Sequence, residues 1–215
     1  MEIHDIGVIG AGQMGNGIAQ VAACAGFRVS MIDIKQEYLD RAMANIGKSL
    51  EKLVSKDRLS QLESSNALSR INFSTSMIEV SDADLVIEAV PEILELKNSI
   101  FSKLDDICKP STILASNTSS ISIDKIANST KRPELVIGMH FMNPVPLMKL
   151  VEIINGSETS TEVNNMVVSA ATKMGKVALS CNDSPGFVSN RILCPMLNEA
   201  CLLYTSDAAD EWRSG

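Results

Sequence analysis

Residues 140–152, HFMNPVPLMKLVE, hold a histidine and a glutamate twelve residues apart with two prolines between them. The only other histidine is His4, near the start of the chain, so His140 is the one internal imidazole. A carboxylate folded back onto an imidazole fixes its tautomer and stabilises the charged ring, which suits the pair to moving an alcohol proton. His140 follows a strand-like run, and Glu152 lies in the next one, beyond Pro144 and Pro146. A metal role is disfavoured, because neither a second internal histidine nor ligand-spaced cysteines accompany His140. Spacing alone leaves two readings open: an acid–base residue, and a core histidine with a satisfied ring.

A second stretch with chemical content is IGVIGAGQMGNGIAQ. Gly10, Gly12 and Gly15 form G-x-G-x-x-G directly after a strand-like run and at the mouth of a helix. The first glycine suits a tight turn, the second lets a pyrophosphate approach the backbone, and the third lets the helix pack close to the sheet. Backbone N–H groups and the positive end of the helix dipole then hold the phosphates. Asp33 ends the following strand-like run at about the 20-residue distance expected of a ribose-binding carboxylate. A carboxylate there repels a 2′-phosphate, so NAD is favoured over NADP; Lys35 softens that preference without reversing it. A third cluster, Ser116, Asn117, Thr118, Ser119 and Ser120, gathers hydroxyl and amide groups after another strand-like run, and Asn143 follows His140.

These residues need a scaffold. Short β-branched runs alternate with helical patterns, as in a parallel α/β sheet. Strands are expected at 5–10, 28–33, 70–74, 84–90, 111–117, 134–141 and 150–155, with helices at 13–25, 36–56, 92–107, 122–129 and 160–174. Near-continuous apolar strands such as LVIEAV suit a sheet covered on both faces, and the ends of such strands are where ligands bind. In 36–56, Leu39, Met43, Ile46, Leu50, Leu53 and Val54 recur at three- and four-residue spacing and predict one buried stripe. Ser49, Lys52 and Lys56 fall on a neighbouring face, which by itself reads as a solvated polar surface.

Composition narrows the classes. The chain has 215 residues, 45% hydrophobic and 21% charged, with a net charge of −7. That charge argues against a general nucleic-acid or anionic-membrane surface. No apolar run approaches the length of a membrane span, and the first residues show no signal-peptide pattern. Five scattered cysteines without a CxxC pair point to reduced, cytoplasmic thiols rather than a disulfide frame or a zinc site.

Taken together, GAGQMGNGIAQVAA, VIEAVPEILELKNSIF, ILASNTSS, GMHFMNPVPLMKLVEII and SPGFVSNRIL strongly resemble the short-chain L-3-hydroxyacyl-CoA dehydrogenases, and among them the bacterial 3-hydroxybutyryl-CoA dehydrogenases. The match runs in register from about Ile6 to Cys201. It implies a Rossmann-like, doubly wound α/β fold with a mostly parallel sheet, followed by the start of a truncated all-helical C-terminal domain. It places the general base on His140, the carboxylate that orients it on Glu152, a substrate-oxygen donor on Ser119 and a further site residue on Asn190. Cofactor contacts fall on Gly10, Ala11, Gly12, Gln13, Met14, Gly15, Asp33, Glu92, Lys97, Ser119 and Asn143. Coenzyme A contacts fall on Ser49, Lys56 and Ser119, which reverses the solvated-face reading of that helix. The implied reaction is NAD-dependent interconversion of an L-3-hydroxyacyl-CoA and a 3-ketoacyl-CoA, with an acyl-CoA as partner, no metal, and a homodimer or higher assembly in full-length members.

The resemblance divides the chain into an NAD-binding domain at 1–183, the first helix of a helical domain at 184–201, and an unassigned tail at 202–215, LLYTSDAADEWRSG, read as foreign to the fold. The helix would leave Ile192, Leu193, Met196 and Leu197 exposed. Two competing readings follow: a fragment that binds NAD without turnover, and a β-hydroxyacid dehydrogenase of free acids that ignores coenzyme A.

Overall fold

The computed structural model describes residues 2–205. The chain runs β1 (Asp5–Ile9), α1 (Gln13–Cys24), β2 (Arg28–Ile32), α2 (Gln36–Val54), α3 (Gln61–Ser69) and β3 (Ile71–Ser74). It continues through β4 (Leu85–Glu88), α4 (Leu94–Ile107), β5 (Ile113–Ser116), α5 (Ile123–Ala127) and β6 (Val136–Phe141). It closes with β7 (Leu150–Asn155), α6 (Thr161–Lys173), β8 (Val177–Asn182) and α7 (Ser189–Thr205).

All eight strands form one sheet in the order β3-β2-β1-β4-β5-β6-β7-β8. The strands from β3 to β6 are mutually parallel, β7 is antiparallel to β6, and β8 runs parallel to β7. This is the mostly parallel, doubly wound arrangement expected. Every residue of β4, β5 and β6 is buried, because helices cover both faces of the sheet. Val8, Ile18, Met31, Leu39 and Val167 belong to the core of one face. Phe101, Leu104, Ile126 and Val136 belong to the other.

Several expected boundaries shift for identifiable reasons. The strand expected at 84–90 stops at Glu88, whose own carboxylate takes the N–H of Val90 at 2.7 Å and withdraws it from the ladder. In α2 the stripe is Leu39, Ala42, Ile46 and Leu50, while Met43 is 48% exposed and Leu53 and Val54 are half-buried. Helix α3 was not anticipated, although a capping box announces it: Ser60 accepts from the N–H of Glu63 and the Glu63 carboxylate accepts from the N–H of Ser60. Strand β8 was not anticipated either. It is the sheet edge, and Val177 and Leu179 stay exposed, so neither apolar continuity nor alternation marks it. The helix expected at 184–201 begins only at Ser189 and runs to Thr205, four residues into the segment read as a tail. The rest of that segment, 206–215, lies outside the described residues. Ile192, Leu193, Met196 and Leu197 are exposed, as expected. Among the described residues no helix is long and apolar enough to cross a membrane.

Candidate active site

The sheet order reverses at β1, with β2 on one side and β4 on the other, so the loop after β1 opens into the crevice where such sheets bind ligands. Gly10 has φ 106°, and a Cβ there would stand 2.8 Å from the Ala89 carbonyl oxygen. A Cβ at Gly15 would stand 1.8 Å from the Gly10 carbonyl oxygen, so α1 and its loop touch backbone to backbone. Around Gly12 a Cβ would meet nothing within 4 Å. No side chain caps α1 at Gly12, which leaves its first N–H groups facing open space. A shaped loop with free room above it fits a dinucleotide's pyrophosphate.

Asp33 braces that loop. Its carboxylate accepts from Ala11 N–H at 2.6 Å and from Ile34 N–H at 2.7 Å. A cleft of about 1050 Å³ runs from Gly10, Ala11, Gly12, Gln13 and Asp33 across to Asn143. The Gln13 amide donates to the Asn143 side-chain oxygen at 3.1 Å, joining the phosphate loop to the β6–β7 turn. Ser49 and Lys56 line the same cleft, with Arg41, Lys52 and Arg58 adding positive charge. Arg41 and Arg58 had no sequence signal beyond their type. Met14 packs against the core and does not line the cleft.

His140 and Glu152 are direct cross-strand partners in the antiparallel β6–β7 pair. His140 Nδ1 lies 2.7 Å from a Glu152 oxygen, and both residues are buried. The other Glu152 oxygen accepts from the N–H groups of Val188 at 3.0 Å and Ser189 at 2.8 Å. Burial pushes the Glu152 carboxyl up, but the hydrogen bonds from His140, Ser189 and Val188 outweigh it and hold the carboxyl below its ordinary range. Phe187 packs its ring 5.9 Å from that of His140, centre to centre, and adopts φ 50°, a left-handed conformation uncommon for an aromatic residue.

The hydroxyl cluster sits on the loop after β5. Asn117 Oδ1 accepts from Phe141 N–H at 2.9 Å, tying this loop to the end of β6 beside His140. Glu92 accepts from the N–H groups of Ser119 at 3.0 Å and Ser120 at 3.2 Å, and from the Thr118 hydroxyl. Burial raises the Glu92 carboxyl, yet the Thr118 hydroxyl, the Lys97 charge and the Ser119 N–H together hold it below its usual range. The Asn190 amide donates to the Ser119 carbonyl at 3.2 Å, so Ser119 is held by its backbone. Lys97 stands apart from the other expected cofactor contacts: it is almost wholly enclosed, with its ammonium between Glu88 and Glu92.

The structure thus groups the expected residues at the carboxyl edge of the sheet. Gly10, Ala11, Gly12, Gln13, Asp33, Asn143, Ser49 and Lys56 line the cleft; outside its lining stand two hydrogen-bonded groups, His140 with Glu152 and Glu92 with Ser119 and Asn190. Two participants were not anticipated. Glu88 is an acid inside an otherwise apolar buried strand, a signal present in LVIEAV. Lys176 is buried and donates to the carbonyls of Val145 and Met148, holding the turn that carries Asn143.

Comparison with known proteins agrees with this geometry. Residues 5–184 match the family described as 3-hydroxyacyl-CoA dehydrogenase, NAD binding domain. A probable 3-hydroxybutyryl-CoA dehydrogenase of Deinococcus radiodurans is 57% identical over 194 residues, covering 90% of this chain and 69% of that protein. A second, from Bacillus subtilis, is 52% identical over 200 residues, covering 93% and 70%. The crystal structure of (S)-3-hydroxybutyryl-CoA dehydrogenase from Ralstonia eutropha aligns with a TM-score of 0.94 at 44% identity, over 96% of this chain and 73% of that one.

Proposed function

This chain belongs to the 3-hydroxyacyl-CoA dehydrogenase family, and on that premise we propose that it interconverts an L-3-hydroxyacyl-CoA and the matching 3-ketoacyl-CoA, with 3-hydroxybutyryl-CoA and acetoacetyl-CoA as the pair. The observation that carries the reading is the hydrogen-bonded His140–Glu152 pair at the same sheet edge as the phosphate loop.

The loop Gly10–Gly15 and Asp33 would hold NAD, which would supply a hydride acceptor for C3 of the alcohol, or as NADH a hydride donor to the ketone. Every other step belongs to the chain. Nδ1 of His140 donates to Glu152, which leaves Nε2 as the basic nitrogen toward the substrate. As the alcohol is oxidised, Nε2 takes the hydroxyl proton, and Glu152 stabilises the imidazolium that forms. In the reverse direction the imidazolium returns that proton to the developing alkoxide. The Ser119 hydroxyl holds the reacting oxygen where its charge changes, and Asn190 keeps Ser119 in place. On the cleft wall, Ser49 and Lys56 take the phosphate-bearing end of coenzyme A, where an ammonium meets an anion. Residues 1–183 are the cofactor unit of this reading, and α7 opens the helical unit that follows. Five unpaired cysteines suit the reducing cytoplasm.

The test is NADH oxidation by this chain with acetoacetyl-CoA, with His140→Gln alongside. Turnover that the substitution abolishes supports the proposal; turnover that survives it removes His140 from the chemistry. A second reading, NAD binding without turnover, is favoured by the uncovered apolar face of α7, where Ile192 is 65% and Met196 57% exposed. NADH binding in a fluorescence titration, with no turnover in the same sample, would establish it.

A further inference from the structure

Glu88 is 0% exposed and Lys97 1% exposed, in the interior beneath the loop after β5. One Glu88 oxygen accepts from Lys97 Nζ and from Val90 N–H, each at 2.7 Å. The other accepts from the Ser116 hydroxyl at 2.7 Å. Lys97 Nζ also stands 3.3 Å from the Glu92 carboxylate, which carries the N–H groups of Ser119 and Ser120. The Ser116 hydroxyl in turn accepts from Thr118 N–H at 3.2 Å. Two arms therefore leave one buried carboxylate and reach the same loop, 117–122, one through Lys97 and Glu92, the other through Ser116.

A buried ion pair contributes little net stability compared with apolar side chains of similar volume, because desolvation offsets the attraction. β4 is apolar at its other positions, and in register Glu88 lies between Ile9 of β1 and Ser116 of β5. A leucine would suit this place better for packing alone. What the carboxylate supplies instead is direction: fixed acceptors that orient a lysine and a serine hydroxyl.

Resting on the dehydrogenase reading above, we propose that Glu88 is a positioning residue for the reaction, acting through Lys97 and Glu92 to set the backbone of Ser119. Lys97 acts on this loop by orienting the Glu92 carboxylate.

Glu88→Gln and the double variant Glu88→Gln/Lys97→Met test this. The second removes the pair without leaving an unmatched buried charge, and so carries the test if the first fails to fold. Amide hydrogen exchange is read at Ser119 and Ser120, against His4 and Asp5, whose N–H groups are held by Asp84 elsewhere in the fold. In both variants the Ser119 and Ser120 amides should exchange at least about tenfold faster while His4 and Asp5 keep their rates. The kcat for acetoacetyl-CoA reduction should fall roughly tenfold in both, and in Glu88→Gln, which keeps Lys97, the KM for NADH should move less than about threefold. Unchanged exchange at Ser119 and Ser120, a uniform rise that includes Asp5, or faster exchange with kcat intact would each overturn the proposal. If the unaltered chain does not turn over, the dehydrogenase reading fails by itself, and exchange alone decides whether Glu88 sets the loop.

Discussion

Nδ1 of His140 and Oε2 of Glu152 stand 2.7 Å apart on neighbouring antiparallel strands, in direct register. The pleat sends both side chains to the same face, and the second Glu152 oxygen is held by the start of α7. The ring is therefore fixed at Nδ1, and among the described residues Nε2 has no hydrogen-bond partner. Replacing His140 by glutamine should lower kcat by roughly 10²–10⁴-fold, the usual size of an acid–base contribution. Glu152→Gln, which keeps the shape but removes the charge that stabilises the imidazolium, should produce a smaller loss. NADH titration should show unchanged cofactor affinity in both; a parallel collapse of affinity would mean that the site had been distorted rather than disarmed.

The same carboxylate ties stability to pH. Hydrogen bonds from His140, Ser189 and Val188 outweigh burial and leave the folded-state pKa of Glu152 below its ordinary value of 4.5. Between the two values the unfolded chain binds a proton that the folded chain does not, so stability rises with pH there. The contribution is complete above the unfolded value and disappears as pH falls through the folded one. Urea unfolding should find Glu152→Gln less stable by ~1–3 kcal/mol at pH 7, with the gap closing as the buffer is taken from pH 6 toward pH 3. A gap of constant size over that range would contradict the assignment.

Asp33 both faces the cleft and braces the Ala11 and Ile34 amides. Asp33→Ser should weaken NADH binding by about 10–100-fold, the loss expected from hydrogen bonds to a charged group. Removing the negative charge also removes the repulsion of a 2′-phosphate, so the preference for NADH over NADPH should narrow. Parallel titrations with the two cofactors measure this; equal loss for both would confine Asp33 to bracing the loop.

Lys56 lies on the cleft wall with Arg41, Lys52 and Arg58. Lys56→Ala should raise the KM for acetoacetyl-CoA about 2–5-fold, the effect of one solvent-exposed charge pair. The KM for acetoacetyl-pantetheine, which lacks the nucleotide phosphates, should not move. Added salt should shrink the difference between the unaltered and substituted proteins. If both substrates respond alike, the coenzyme A assignment falls, and a reading as a dehydrogenase of free acids gains.

Much of this site is legible in residue order because its parts obey local rules. The glycine loop announces itself by spacing, and LVIEAV and ILASN announce buried parallel strands by apolar continuity. His140 and Glu152 could be matched because a short turn with two prolines separates them. What escaped were features that depend on distant neighbours or leave no apolar pattern in the chain. β8 is a strand only because β7 lends it a ladder. α3 rests on a capping box rather than on an apolar stripe, with Leu62 turned to solvent. Asn190 was expected as a site residue, but nothing in its own segment points to its partner, the Ser119 carbonyl 71 positions away. Glu88 shows in the sequence as an anomaly within a strand, and only its partners say what the anomaly is for.

The reversal of β7 has a consequence for the order of assembly. His140 and Glu152 are joined across twelve residues of chain, whereas the Glu152–Val188, Ser119–Asn190 and Gln13–Asn143 bonds span 36, 71 and 130. Closing a short loop costs less entropy than closing a long one, and contacts distant in sequence form late. The His140–Glu152 pair is thus the product of a single hairpin, while the cleft needs the loop after β1 and the turn after β6 brought together. Local opening that breaks the Gln13–Asn143 bond is therefore expected to weaken cofactor affinity while the hairpin still holds His140 against Glu152.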